Sequence, residues 1–187
     1  MKKVLLLALL ALLALAAGAA HAQTPLTKGR GLLTGTIGYH HESHGSQGSG
    51  NLFELSPTVG KFVADNLVVG VSASLRLDGG NSDYFGGNSF AVGPFARYYR
   101  FVGGDKFALF GQGSVGYART NPGVFDGVNQ GYLSVTPGLA FFPVPRFGVE
   151  ASLRGLSYAT DFNNVSTFDL GFSLSNFQLG AAYYFGK

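Results

Sequence analysis

Asn176-Phe-Gln-Leu-Gly-Ala-Ala-Tyr-Tyr-Phe185 sorts its residues by alternate position. Phe177, Leu179, Ala181, Tyr183 and Phe185 share one face; Asn176, Gln178, Gly180, Ala182 and Tyr184 share the other. A period of two belongs to a strand, whereas a helix would scatter the same side chains around its circumference. The first face is apolar throughout and aromatic at its end. Its length matches the roughly 9–11 residues that a tilted strand needs to cross a bilayer. The stretch reads as the closing strand of a transmembrane β-barrel.

The chain upstream fits that reading. Lys2 and Lys3 precede the apolar run Val4–Ala17, and Ala20-His21-Ala22 supplies small residues two apart before Gln23. This predicts a secretory signal peptide over residues 1–22, with an apolar segment too short for a membrane-spanning helix. The sequence has 187 residues, 13 Lys+Arg and 10 Asp+Glu; loss of Lys2 and Lys3 with the signal leaves 11 basic residues, a net charge of +1. Nucleic acid is therefore not an expected partner. There is no cysteine, so neither a disulfide nor a lipidated cysteine is available. Beyond Ala22 no apolar run is long enough for a helical span. The 17 Phe, 9 Tyr and 29 Gly suit short aromatic strands joined by glycine-rich loops.

After a short polar lead-in over residues 23–30, eight strands are predicted within a barrel spanning 31–187. The first seven are Gly31–His41, Leu52–Val63, Leu67–Asp78, Phe90–Phe101, Lys106–Arg119, Gly131–Phe142 and Arg146–Tyr158; the segment Phe168–Phe185 feeds the closing strand. Long connections alternate with short ones at Ala64-Asp65-Asn66, Val102–Asp105 and Pro143-Val144-Pro145, as expected of an up-and-down meander. Pro57, Pro94 and Pro137 each stand five residues before an aromatic, above a short turn, and Val71-Ser-Ala-Ser-Leu-Arg76 is echoed by Val149-Glu-Ala-Ser-Leu-Arg154. Such repetition marks a barrel built from similar hairpins. Proline within a strand ordinarily signals an edge or a bulge, and a closed barrel has no edge.

Sidedness separates a membrane barrel from a soluble one. The polar faces carry Glu54, Arg76, Arg97, Glu150 and Arg154 among Ser, Thr and Gly, while the opposite faces are almost uncharged apart from strand ends. A charge facing lipid near the midplane costs about 2–4 kcal/mol, so the five ions are expected inside. The lumen of eight strands is just wide enough for side chains to fill. Glu54 and Glu150 are accordingly expected to pair with Arg76, Arg97 and Arg154 as a plug. Aromatics beside the short turns (Phe62, Tyr98, Tyr99, Phe101, Phe107, Phe141, Phe142, Tyr183, Tyr184 and Phe185) are expected to form an interfacial girdle.

The chain resembles the small bacterial outer-membrane β-barrel family of OmpA/OmpX-like proteins over Gly31–Phe185. The residues that carry the resemblance are Ser56-Pro57-Thr58-Val59-Gly60, Gly93-Pro94-Phe95-Ala96-Arg97-Tyr98-Tyr99 and the closing Leu179–Phe185. It implies an outer-membrane location, contact with outer-membrane lipid and lipopolysaccharide, and recognition of the last strand by the barrel-assembly machinery. Here Gly186 and Lys187 follow the terminal aromatic. A monomer with a structural or surface-interaction role and four extracellular loops is expected, not an enzyme; the fold alone does not assign a role.

His40-His41-Glu42-Ser43-His44 is the one constellation with catalytic residue types. His41-Glu42-Ser43 resembles, weakly, the His-x-Ser pattern of outer-membrane lipid A deacylases, whose motif instead lies late in the chain on a lipid-facing strand. A lipid A-modifying enzyme is the alternative function, and a narrow channel the third. No second cluster at ligand spacing supports a metal, and no cofactor is implied. The loop Asp78–Asn88 lacks the closing Glu of a calcium loop. Tyr84-Phe85 and Val124-Phe125 are loop aromatics placed to meet lipopolysaccharide, a partner or the barrel mouth.

Overall fold

Alternation becomes pairing in the computed structural model, which describes residues 26–43, 49–80, 87–102, 104–121, 127–153, 155–162, 165–170 and 178–186. Its strands are β1 (Gly31–Ser43), β2 (Ser49–Ala64), β3 (Leu67–Gly80), β4 (Asn88–Phe101), β5 (Phe107–Asn121), β6 (Val128–Val144), β7 (Phe147–Ser152), β8 (Leu156–Thr160), β9 (Ser166–Leu170) and β10 (Gln178–Phe185). All neighbours run antiparallel. β1 to β6 form a meander, β7 continues it, and β10 joins β7 to β1 to close the ring. β7 and β8 lie end to end along β6 as one stave, and β9 and β10 supply the last. The architecture is a closed eight-stranded antiparallel barrel.

One predicted strand proves discontinuous. Gly138 pairs with Ser152 and Val135 with Leu156, so four steps on one stave oppose three on β6. One extra residue is a β-bulge, and it breaks the predicted strand Arg146–Tyr158 between β7 and β8. Of the predicted segment Phe168–Phe185, the residues up to Leu170 belong to β9 and those from Gln178 to β10, and 171–177 lie outside the described residues. From Gln178 onward the alternation holds: Leu179, Tyr183 and Phe185 are exposed outside, while Ala182 and Tyr184 are buried. The turn expected at Pro143–Pro145 falls at Pro145–Arg146, because β6 continues through a register shift between Phe141 and Val144.

The three prolines occupy gaps in the ladder. Pro57 pairs with Gly35 of β1, while the ladder to β3 passes from Leu55↔Leu75 to Thr58↔Ser72. Pro94 pairs with Val71 of β3, while the ladder to β5 passes from Val92↔Tyr117 to Phe95↔Ser114. Ser72 Oγ donates to the Gly93 carbonyl at 3.4 Å, and Ser56 Oγ to Ser74 Oγ at 3.2 Å, so hydroxyls bind where the ladder is skipped. A proline without an N–H costs least where no rung is made.

The lead-in is more than a polar extension. Gly29 N donates to Phe62 O at 2.8 Å, Asn66 N to Leu26 O at 2.7 Å and Lys28 N to Asp65 Oδ1 at 3.0 Å. These bonds fasten residues 26–30 to the β2–β3 turn, where Asn66 adopts a positive φ of 63°. Leu26 is thereby buried at the short-turn end of the lumen.

Candidate functional site

The lumen is layered. At the short-turn end Leu26, Leu32, Phe62, Val68, Tyr99, Phe110, Phe142 and Tyr184 form a dry core, with Phe101 packed against it. The rings interlock: Tyr99 lies 5.6 Å from Phe110, and Phe142 lies 5.4 Å from Tyr184 and 5.6 Å from Phe101 between centroids. Phe62, Tyr99 and Phe142, expected in an interfacial girdle with Phe101 and Tyr184, are thus corrected to lumen residues. Their parity explains it. Phe62 follows Glu54, Thr58 and Gly60 on the inward face of β2, and Tyr99 follows Arg97 on β4. Eight strands leave a bore that must be filled, and large rings fill it.

Above this core sits an ion pair across the bore. Arg97 of β4 and Glu150 of β7 belong to strands that are not neighbours. Arg97 Nη1 donates to Glu150 Oε2 at 2.8 Å and Oε1 at 2.9 Å. Glu150 also accepts from Tyr99 OH at 3.1 Å, Tyr184 OH at 3.2 Å and Thr34 Oγ1 at 3.0 Å. Arg97 Nε donates to Gln112 Oε1 at 2.8 Å, and its guanidinium carbon lies 4.5 Å from the Phe110 ring centroid. Charge-assisted bonds at these lengths, a cation–π face and near-complete burial fix both side chains. Every carboxylate oxygen is occupied, so Glu150 is a fastening and not a poised base.

A looser pair stands higher. Glu54 and Arg76 face each other in register across β2 and β3, with Nη1 and Oε1 3.5 Å apart. Their side chains keep 38% and 35% exposure although they point into the bore, so water reaches this height. Between the pairs lies a cavity of about 590 Å³, lined by Ser and Thr hydroxyls together with Ala, Gly, Leu52, Phe110 and Tyr132. A lumen filled throughout by side chains, as expected from sequence, is therefore corrected: filling stops at Arg97 and Glu150. Arg154 lies outside the described residues.

The chemistry-bearing candidates gain little. His41 is exposed and its Nδ1 lies 2.7 Å from Asn51 Oδ1. The side chains of His40, Glu42 and Ser43, and residues His44, Tyr84, Phe85, Val124 and Phe125, lie outside the described residues. Among the described residues no group of three or more His, Cys, Asp or Glu side chains is placed to hold a metal, and no helix is long and apolar enough to cross a membrane.

The outer surface is apolar. Leu33, Val71, Leu75, Leu109, Val115 and Leu139 point away from the bore, and Ile37 reaches 71% exposure. Tyr98, Phe107, Tyr183 and Phe185 are exposed near the short turns, with Phe107 stacked on Phe141 at 4.9 Å. Sequence reading missed a second aromatic belt: Tyr39, Phe53, Phe90, Tyr117, Tyr158 and Phe168 are exposed toward the long-loop end. Three of its hydroxyls bind a neighbouring strand, Tyr39 to Asn51 Oδ1 at 2.9 Å, Tyr117 to Asn129 Oδ1 at 2.6 Å and Tyr158 to Ser166 Oγ at 3.3 Å. The signal was present as outward-parity aromatics just below each loop.

A closed bore, a sealed end and an apolar exterior can be set beside known proteins. No protein-family model matches the chain, and no curated protein matches it in sequence. Among solved structures it is similar to the N-terminal β-barrel domain of Pseudomonas aeruginosa OprF, with a TM-score of 0.53 and 13% identity over 83% of this chain and 97% of that one. The chain has the fold of that barrel. Ail, the attachment invasion locus protein of Yersinia pestis, solved with the heparin analogue sucrose octasulfate, aligns over 85% of this chain and 100% of that one. Its 14% identity and TM-score of 0.38 are too low to bear on the fold. The agreement with OprF rests on backbone architecture, since at 13% identity few side chains are shared.

Proposed function

We propose that this chain is an integral β-barrel protein of the bacterial outer membrane, of the OmpA/OmpX-like family, exported through the signal at residues 1–22. It serves as a structural and surface-interaction protein and not as an enzyme. The supporting observation is its sidedness: large apolar residues cover the outside while the ion pairs face inward. A soluble barrel buries the first set and wets the second. On β5 the outward aromatics Phe107 and Tyr117 are ten residues apart. At about 3.3 Å per residue and a tilt of about 40°, they bracket about 25 Å, the height of an outer-membrane apolar band. Tyr183 and Phe185 belong to the lower interfacial girdle in this reading, and the Tyr39–Tyr158 belt to the upper one.

The barrel acts as a rigid, lipid-embedded support. Its fixed wall holds four long connections on the outside, where they meet lipopolysaccharide or a partner. The closing strand, ending in Tyr183-Tyr184-Phe185, is the segment offered to the barrel-assembly machinery, and the folded barrel is a monomer with no nucleic-acid partner. The decisive experiment is fractionation of expressing cells followed by gel electrophoresis with and without boiling. Recovery in the outer-membrane fraction with heat-modifiable migration is expected; recovery as a soluble protein overturns the reading. Changing His41 and Ser43 is expected to leave the lipid A acylation profile as in wild type, and an altered profile would support the deacylase alternative instead.

A further inference from the structure

The cavity above Arg97 and Glu150 has no part in that reading. We propose that it is a binding well for neutral saccharides, molecules that present vicinal hydroxyls, entering from the long-loop end. Its volume of about 590 Å³ lies within the roughly 300–1,000 Å³ usual for small-ligand sites. The well is blind: the Arg97–Glu150 bolt and the aromatic core beneath it close the far end. A molecule that enters is held and does not pass.

The walls define the ligand. Thr36, Ser56, Ser74, Ser134, Thr136 and Ser157 line the well, and each hydroxyl both donates and accepts. An apolar occupant would strip water from these groups without replacing its bonds, an unfavourable exchange. Among the described lining residues the charges cancel in pairs, Glu54 with Arg76 and Glu150 with Arg97. Arg76 makes a long contact with Glu54, and its buried Nε has no hydrogen-bond partner among the described residues. A carboxylate acceptor beside a guanidinium donor matches two adjacent hydroxyls, one donating to Glu54 and one accepting from Arg76. Tyr132, also in the lining, adds an aromatic surface for the C–H face of a sugar ring.

The test is a titration of the full folded protein, in a zwitterionic detergent without a sugar headgroup, with maltose and separately with trehalose. Saturable binding with a dissociation constant on the order of 1 mM is expected by calorimetry or saturation-transfer NMR. Arg76→Gln is expected to weaken it about tenfold, and Ser134→Leu, which fills the well, to abolish it. Heat-modifiable migration verifies that each variant is folded; if Ser134→Leu fails to fold, Ser157→Leu is the second blocking variant. Displacement of bound maltose by lipopolysaccharide would identify the source as a surface glycan, and absence of displacement a free sugar. No saturable binding of either disaccharide up to about 100 mM, or binding unchanged by the blocking variants, overturns the proposal. So does sulfate bound in place of sugar. Because binding is measured on purified protein, its failure is distinct from failure of the membrane reading in cell fractions.

Discussion

Glu150 is held by four side chains from three strands, and the consequence of losing its charge follows from burial. Glu150→Gln leaves the buried Arg97 guanidinium unneutralised, and breaking a buried pair costs about 3–5 kcal/mol. The urea midpoint for unfolding from lipid vesicles, followed by the folded gel band, should fall sharply. The double variant Arg97→Met/Glu150→Leu should lose less than either single change, because apolar replacement of both partners removes the buried charge. Equal midpoints for Glu150→Gln and wild type would refute the fastening role. The inward position of both residues was legible, since a charge in mid-strand is costly on a lipid-facing surface. Their pairing was not. Glu54–Arg76 joins adjacent strands in register, whereas Arg97–Glu150 spans the bore, and only closure of the ring decides which ions meet. Phe62, Tyr99 and Phe142 depart from the expected girdle for a different reason: parity, and not nearness to a short turn, sets which face a strand residue occupies.

At the level of elements, glycines bring the strands together and aromatics cover them. Gly60 and Gly70 oppose each other across β2 and β3. A Cβ on Gly70 would strike the Val59 carbonyl and the Gly60 Cα, backbone atoms that cannot swing aside, and the Phe95 ring lies over the pair. Gly113 on β5, by contrast, has open space around a Cβ. Gly70→Ala should therefore cost about 1–3 kcal/mol by overpacking, while Gly113→Ala should stay within about 0.5 kcal/mol. Paired urea titrations check both, and indistinguishable midpoints would refute the close-approach argument. The order of the strands followed from period and composition, because both are local properties. The bulge between β7 and β8 was hidden by the echo of Val71–Arg76 in Val149–Arg154, two similar sequences of which only the first runs unbroken. A bulge is imposed by register with a neighbour, and that is not written in the strand itself.

For the whole molecule the question is which solvent surrounds it and whether anything crosses it. The dry core from Leu26 to Phe142 seals the short-turn end, so purified protein in a planar bilayer should show no stepwise conductance; discrete openings would contradict the seal. The surrounding solvent is probed by placing one charge at two heights. Val115 points outward near the middle of β5, between the belts, whereas Asn121 ends that strand at the rim. If lipid covers the band, Val115→Arg should destabilise the folded barrel by about 2–4 kcal/mol and Asn121→Arg by about 0–1 kcal/mol. Reversible unfolding from phosphocholine bilayers measures both. In water the order would vanish, since an arginine on an exposed strand face is well solvated and relieves an apolar patch. Equal, small effects at the two heights would therefore show that the apolar exterior serves some contact other than a bilayer, whatever the closure of the ring.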